Sequence, residues 1–145
     1  MTARTAVVAG LVDLVRNAFT NIGAGQTPDA ANGNTIPDPG PNALVLLVTN
    51  GATAAVTLTV RASGSGNDAS GNAQSVAPWD TVFTQATEGD LVVSIPAGDT
   101  YVSPPLETDR FTQPDGSLSL DWSARASVKL RALYLPTNAL GGVVL

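Results

Sequence analysis

Most apolar stretches of this chain alternate with polar residues at a period of two. Val56, Leu58 and Val60 interleave with Thr57, Thr59 and Arg61, which gives an extended segment one apolar face and one polar face. Leu118, Leu120 and Trp122 alternate in the same way with Ser117, Ser119 and Asp121, and Val128, Leu130 and Ala132 with Lys129 and Arg131. Leu91, Val93 and Ile95 form a further apolar set ahead of the breaker Pro96-Ala97-Gly98. Leu44 to Val48 is apolar at every position, the pattern of a central strand covered on both faces.

Turn chemistry falls between these runs. Asn50-Gly51 separates Leu44–Thr49 from Ala54–Arg61 and predicts a tight hairpin, because both central positions of such a turn need a positive φ. Pro114-Asp115-Gly116 predicts another reversal before Ser117–Trp122. Ser63 to Ser75 is small, polar and aperiodic and reads as a flexible loop, and the Asn-, Gly-, Asp- and Pro-rich chain from Gly23 to Pro41 reads as an extended surface run. Abundant Thr and Val, with 14 Gly and 10 Pro as punctuation, indicate many short strands. The expected fold is all-β: an antiparallel β-sandwich, jelly-roll or Ig-like, of about seven to nine short strands. Residues 27–136 form the domain, 1–26 an N-terminal arm and 137–145 a C-terminal tail.

The two ends are less regular. Val8, Leu11, Val12, Val15, Ala18 and Phe19 would share a helical face, but Val7 and Leu14 spoil the polar side and Gly10 weakens a helix. The segment reads as an extended or partly helical arm. Leu140-Gly141-Gly142-Val143-Val144-Leu145 is an apolar tail that docks as an edge strand or meets another chain. Trp79, after Pro78 and among turn residues, is the one aromatic kept open as a surface contact. The expected protein–protein interface is therefore Arg4, Val7, Leu11, Val15, Trp79, Val143, Val144 and Leu145, with the termini carrying much of it.

Composition narrows the chemistry. There is no His and no Cys, which removes imidazole acid–base mechanisms, thiolate chemistry, disulfides and the usual zinc sites. Seven cations against twelve acids leave a net charge of −5, so a nucleic-acid partner is not expected. Arg125, Lys129 and Arg131 would share a strand face and read as a solvated one. No apolar run approaches the roughly 20 residues that span a bilayer, so no membrane partner is expected, and Ala6 to Val15, with Asp13 inside it, does not read as a signal peptide.

Asp80, Glu88, Asp90, Asp99, Glu107, Asp109, Asp115 and Asp121 fall mostly at strand ends and turns, and no spacing singles out a catalytic pair. Asn67-Asp68 and Asn72 lack calcium-loop spacing, and the glycines of Ser63–Gly71 lack the Lys of a phosphate loop. Of the aromatics that might make a sugar platform (Trp79, Trp122, Tyr101 and Tyr134), Trp122 shares a face with Leu118 and Leu120 and reads as core. The expectation is a non-enzyme with no cofactor, no metal and no small-molecule substrate.

Several segments, in order, resemble the small β-sandwich capsid decoration (cement) proteins of tailed bacteriophages, especially those of actinobacterial hosts. They are Arg4-Thr5-Ala6; Ala31 to Ile36, with Gly40; Leu44 to Ala52, leading into Ala55 to Val60; Leu91 to Thr100; Pro104-Pro105-Leu106; Arg110-Phe111; Asp115-Gly116 and the strand to Asp121; and Val128 to Leu135. The likeness covers about 110 of the 145 residues. It departs from the family at Val7 to Phe19 and after Pro136. It implies a structural virion protein on the exterior of the capsid, a homotrimer that binds the major capsid protein and bridges its subunits. The alternative is a tail or head-fibre sandwich, or a secreted carbohydrate-binding module, that takes a glycan.

Overall fold

The computed structural model describes residues 3–11, 23–63, 90–106 and 110–136. These contain nine strands and no helix: β1 (Thr5–Ala6), β2 (Ala9–Leu11), β3 (Asn34–Ile36), β4 (Asn42–Asn50), β5 (Val56–Val60), β6 (Leu91–Ile95), β7 (Thr100–Val102), β8 (Leu118–Trp122) and β9 (Val128–Pro136). They form two packed sheets, one in the order β1-β3-β8-β5-β6 and the other β2-β9-β4-β7. The architecture is a β-sandwich, as the alternation predicts.

The alternating residues meet between the sheets. Val56, Leu58, Val60, Leu118, Leu120 and Trp122 from the first sheet, and Leu44, Leu46, Val48, Val128, Leu130 and Ala132 from the second, belong to one buried cluster with Ile36 and Ile95. Each fully buried branched side chain contributes about 1.5–3 kcal/mol. Trp122 is core, and its indole Nε1 donates to Asn34 Oδ1 at 2.9 Å. Asn34 is itself fully buried and donates to the Thr5 carbonyl at 3.1 Å.

Three expectations change. First, the sheets are mixed rather than purely antiparallel: β1 pairs parallel with β3, and β2 parallel with β9. Parallel neighbours need no adjacency in sequence, so the chain's first strands can join partners formed far downstream. Second, β4 lies between β9 and β7, but only Leu44, Leu46 and Val48 of its apolar run are buried, while Val45 and Leu47 are half-buried. One face meets the opposing sheet, and the other is the outside of the sandwich.

Third, Asn50-Gly51 does not make a hairpin. β4 and β5 lie in different sheets, and Ser127 is the only described residue other than glycine with a positive φ. Asn50 instead turns the chain from one sheet to the other. Its side chain donates to the carbonyls of Ala54 and Ile95, both at 2.9 Å, and accepts from Ala52 N at 3.0 Å. Its backbone N donates to Asp99 O at 2.9 Å, and its carbonyl accepts from Gly98 N at 2.7 Å. The β4–β5 and β6–β7 crossovers are thus tied to one fully buried residue. The reversal at Pro114-Asp115-Gly116 forms as expected, with Gly116 at φ 88° and its N–H donating to Gln113 O at 2.8 Å.

Candidate interaction surface

Of the eight residues expected at an interface, Arg4, Val7 and Leu11 fall among the described residues. Arg4 and Val7 are buried, at 8% and 2% exposure, among the domain's own residues. Leu11 closes β2 against Tyr134 of β9. Val15, Trp79, Val143, Val144 and Leu145 lie outside the described residues, as do Asp80, Glu88, Glu107, Asp109 and the Asn67-Asp68 and Asn72 loop.

The burial of Arg4 has a local cause. Its Nη1 donates to Leu120 O at 2.8 Å and to Asp121 Oδ1 at 2.6 Å. The guanidinium is seated over Gly33, whose φ of 79° suits glycine and whose missing side chain leaves the space; a Cβ there would stand 2.7 Å from Leu120 O. Asp121 also faces Arg61, 3.5 Å away, and Arg61 reaches Asp90 at 3.0 Å. Asp90 in turn accepts from Ala62 N at 2.6 Å. This ladder of alternating charges binds the N-terminal segment to β8, β5 and the start of β6. It engages two of the carboxylates that sequence alone left unassigned.

Around it, short polar side chains hold the surface turn before β3. Asp29 accepts from Thr5 Oγ1 at 2.6 Å and from the backbone N–H groups of Asn32 and Ala31 at 3.0 and 3.1 Å. These bonds, Thr5 foremost, favour the charged form and hold its carboxyl below the ordinary range. Tyr134 donates from its hydroxyl to Pro37 O at 2.9 Å; burial, and then the Asp38 carboxylate, push that phenol upward. Lys129 and Arg131 alternate with the core residues of β9, whereas Arg125, expected on the same strand face, precedes the strand. Lys129 donates to Thr27 Oγ1, and Arg131 to the carbonyls of Gly23 and Ala24.

The two lateral sides of the sandwich differ. On one, the edge strands β1 and β2 are joined by Val7 and Val8. There Gln26 Nε2 donates to Ala6 O at 3.0 Å, Gln26 Oε1 accepts from Val8 N at 3.2 Å, and the Gln26 backbone pairs with Leu130. On the other side, β6 and β7 are the edge strands among the described residues. Neither strand carries a charged residue or a proline, the usual guards of an exposed edge.

Three of the four exposed large apolar residues described lie on β6 and β7: Val92 at 62%, Tyr101 at 40% and Val102 at 64%. Between the two strands an apolar crevice of about 130 Å³ opens into the core, lined by Leu46, Val48, Leu58, Val60, Leu91, Val93, Ile95, Tyr101 and Leu106 among others. An apolar group inserted there would gain packing contacts that solvent in the crevice does not provide. The alternation of Leu91, Val93 and Ile95 is visible in the sequence. That this face ends at an open edge is not.

No protein-family model matches the chain, and no curated protein and no solved structure matches it.

Proposed function

We propose that this protein is a structural virion component that decorates the exterior of a phage capsid and stabilises it by bridging major capsid protein subunits, acting through protein–protein contact and transforming no substrate. One structural observation supports a contact role above the others. Val92, Tyr101 and Val102, three of the exposed apolar residues described, lie on the two strands that border the apolar crevice, and Tyr101 and Val102 line it. Apolar exposure beside an apolar recess is a feature of interaction surfaces.

The ordered resemblance to capsid decoration proteins supplies the partner. Several of the segments that carry it coincide with β3, β4, β5, β6, β8, β9 and the crossovers between them. A domain that binds only assembled subunits stabilises the assembly by linkage, and repetition of one modest contact over a lattice multiplies its effect.

The test is deletion of the coding sequence from the phage genome that carries it. Full virions are expected to hold hundreds of copies. Heads lacking the protein are expected to release DNA at lower temperature and to regain resistance when purified protein is added back. Unchanged heat resistance together with no binding to such heads refutes the reading, and a handful of copies per particle favours a glycan-binding appendage instead.

A further inference from the structure

We propose that the β6–β7 side accepts one extended, uncharged segment of another protein, which lies along the open edge and sets a single branched or aromatic side chain into the crevice. The inference rests on the reading of that side as a contact surface and adds the form of its partner.

Size argues for a strand rather than a globular face. The five residues of β6 span about 17 Å, and packed sheets stand about 10 Å apart. The side therefore offers on the order of 200 Å², against roughly 800 Å² per partner in a stable globular interface. A second copy docked here as a rigid body would bury too little to hold. One added strand needs no more than this, because its affinity comes from main-chain hydrogen bonds and its selectivity from pockets for alternate side chains. An edge and a pocket occur here together. Among the described residues, β6 and β7 each have a partner strand on one side only.

The crevice sets the chemistry of the inserted group. Its volume of about 130 Å³ is close to the roughly 150 Å³ of an apolar cavity that holds one benzene ring. Its lining is almost wholly aliphatic, with Tyr101 and Ser103 the exceptions. A charged side chain would lose its hydration there without compensation. Charges along the rest of the segment would gain nothing from β6 or β7, which have none. The fitting segment is thus uncharged, apolar at alternate positions, and of strand length.

A displayed library of random octapeptides, panned against the full chain, tests this. Enriched peptides are expected to lack charges and to alternate apolar residues. Added to isotope-labelled protein, they should shift the amide signals of Leu91–Ile95 and Thr100–Val102. The crevice-filling variant Val93→Trp should weaken binding at least tenfold while still melting cooperatively, and Arg131→Gln, on the far strand, should leave it unchanged. A second filling variant, Leu91→Phe, serves if Val93→Trp does not fold.

The proposal is overturned if no peptide is enriched, if the shifts map elsewhere, if the filling variants bind undiminished, or if sedimentation shows a second copy occupying this side. Capsid binding without peptide binding sinks this inference and leaves the capsid reading standing. Peptide binding without capsid binding does the reverse.

Discussion

Arg4→Met is the most informative single change in the described structure. Methionine keeps an unbranched apolar stem of similar length and removes the guanidinium, so packing is largely retained while the polar contacts are lost. The Arg4 side chain is only 5% exposed, and its Nη1 serves both Leu120 O and Asp121 Oδ1. Hydrogen bonds to charged groups contribute about 1.5–3 kcal/mol each in net terms, and a buried acceptor left without its donor costs about 1–3 kcal/mol.

The Asp121 part must be discounted, because that side chain is 40% exposed and keeps Arg61 as a neighbour; water replaces much of what it loses. The expected destabilisation is about 2–4 kcal/mol, a fall in Tm of roughly 8–15 °C for a domain of this size. Urea melts followed by tryptophan fluorescence measure it, with an unchanged m-value showing that the compactness of the native state is retained. A coupling near 1 kcal/mol is expected in the double-mutant cycle with Asp121→Asn. A loss below about 0.5 kcal/mol would place Arg4 among ordinary surface ion pairs and refute the reasoning.

Gly33→Ala attacks the same contact from beneath, since it forces a positive φ on alanine and drives a Cβ toward Arg4, Asp121 and Leu120. It should cost at least about 3 kcal/mol by denaturant melts, combining left-handed strain with displaced contacts, and its effect should not add to that of Arg4→Met. Asn50→Ala removes three side-chain hydrogen bonds at the double crossover and should cost about 2–4 kcal/mol, with faster amide exchange at Ala52 as the local readout. Asp29→Asn carries a pH signature: a carboxyl held below its ordinary value in the folded state stabilises fully above about pH 4 and loses that contribution as pH falls through its folded value. The deficit of the variant should therefore be present at pH 7 and shrink on acidification below that range. A deficit constant with pH would show that Asp29 acts only through shape.

Period-two alternation was legible because it reports burial directly. Val56, Leu58, Val60, Leu118, Leu120, Trp122, Val128, Leu130 and Ala132 all point into the core, and the Pro114-Asp115-Gly116 reversal sits where its residues require. What escaped was set by partners distant in sequence. A dipeptide such as Asn50-Gly51 reports local backbone preference and carries no information on which sheet the next strand joins. Arg4, one cation near a chain end, resembles a surface residue until β8 brings Leu120 and Asp121 to it, 116 and 117 positions away. β7, only Thr100–Val102 and wholly exposed, has no apolar face from which to be read.

The unequal treatment of the two lateral sides is the feature that stability alone does not explain. At the β1–β2 side the chain spends Gln26, Arg4 and the Arg131 contacts to Gly23 and Ala24 on closure. At the β6–β7 side it leaves Leu91 and Val93 half-buried beside a crevice. Sequences under pressure only to fold tend to guard such edges with lysine, proline or a bulge, and filling the space with one larger side chain from β6 would recover packing energy. The local scaffolding is not careless: Asn50 fixes both crossovers beside this side, holding β6 and β7 in a defined relation while the gap between them stays open. On the proposed reading of this side, a rigid frame around an apolar opening would bind its segment at little ordering cost.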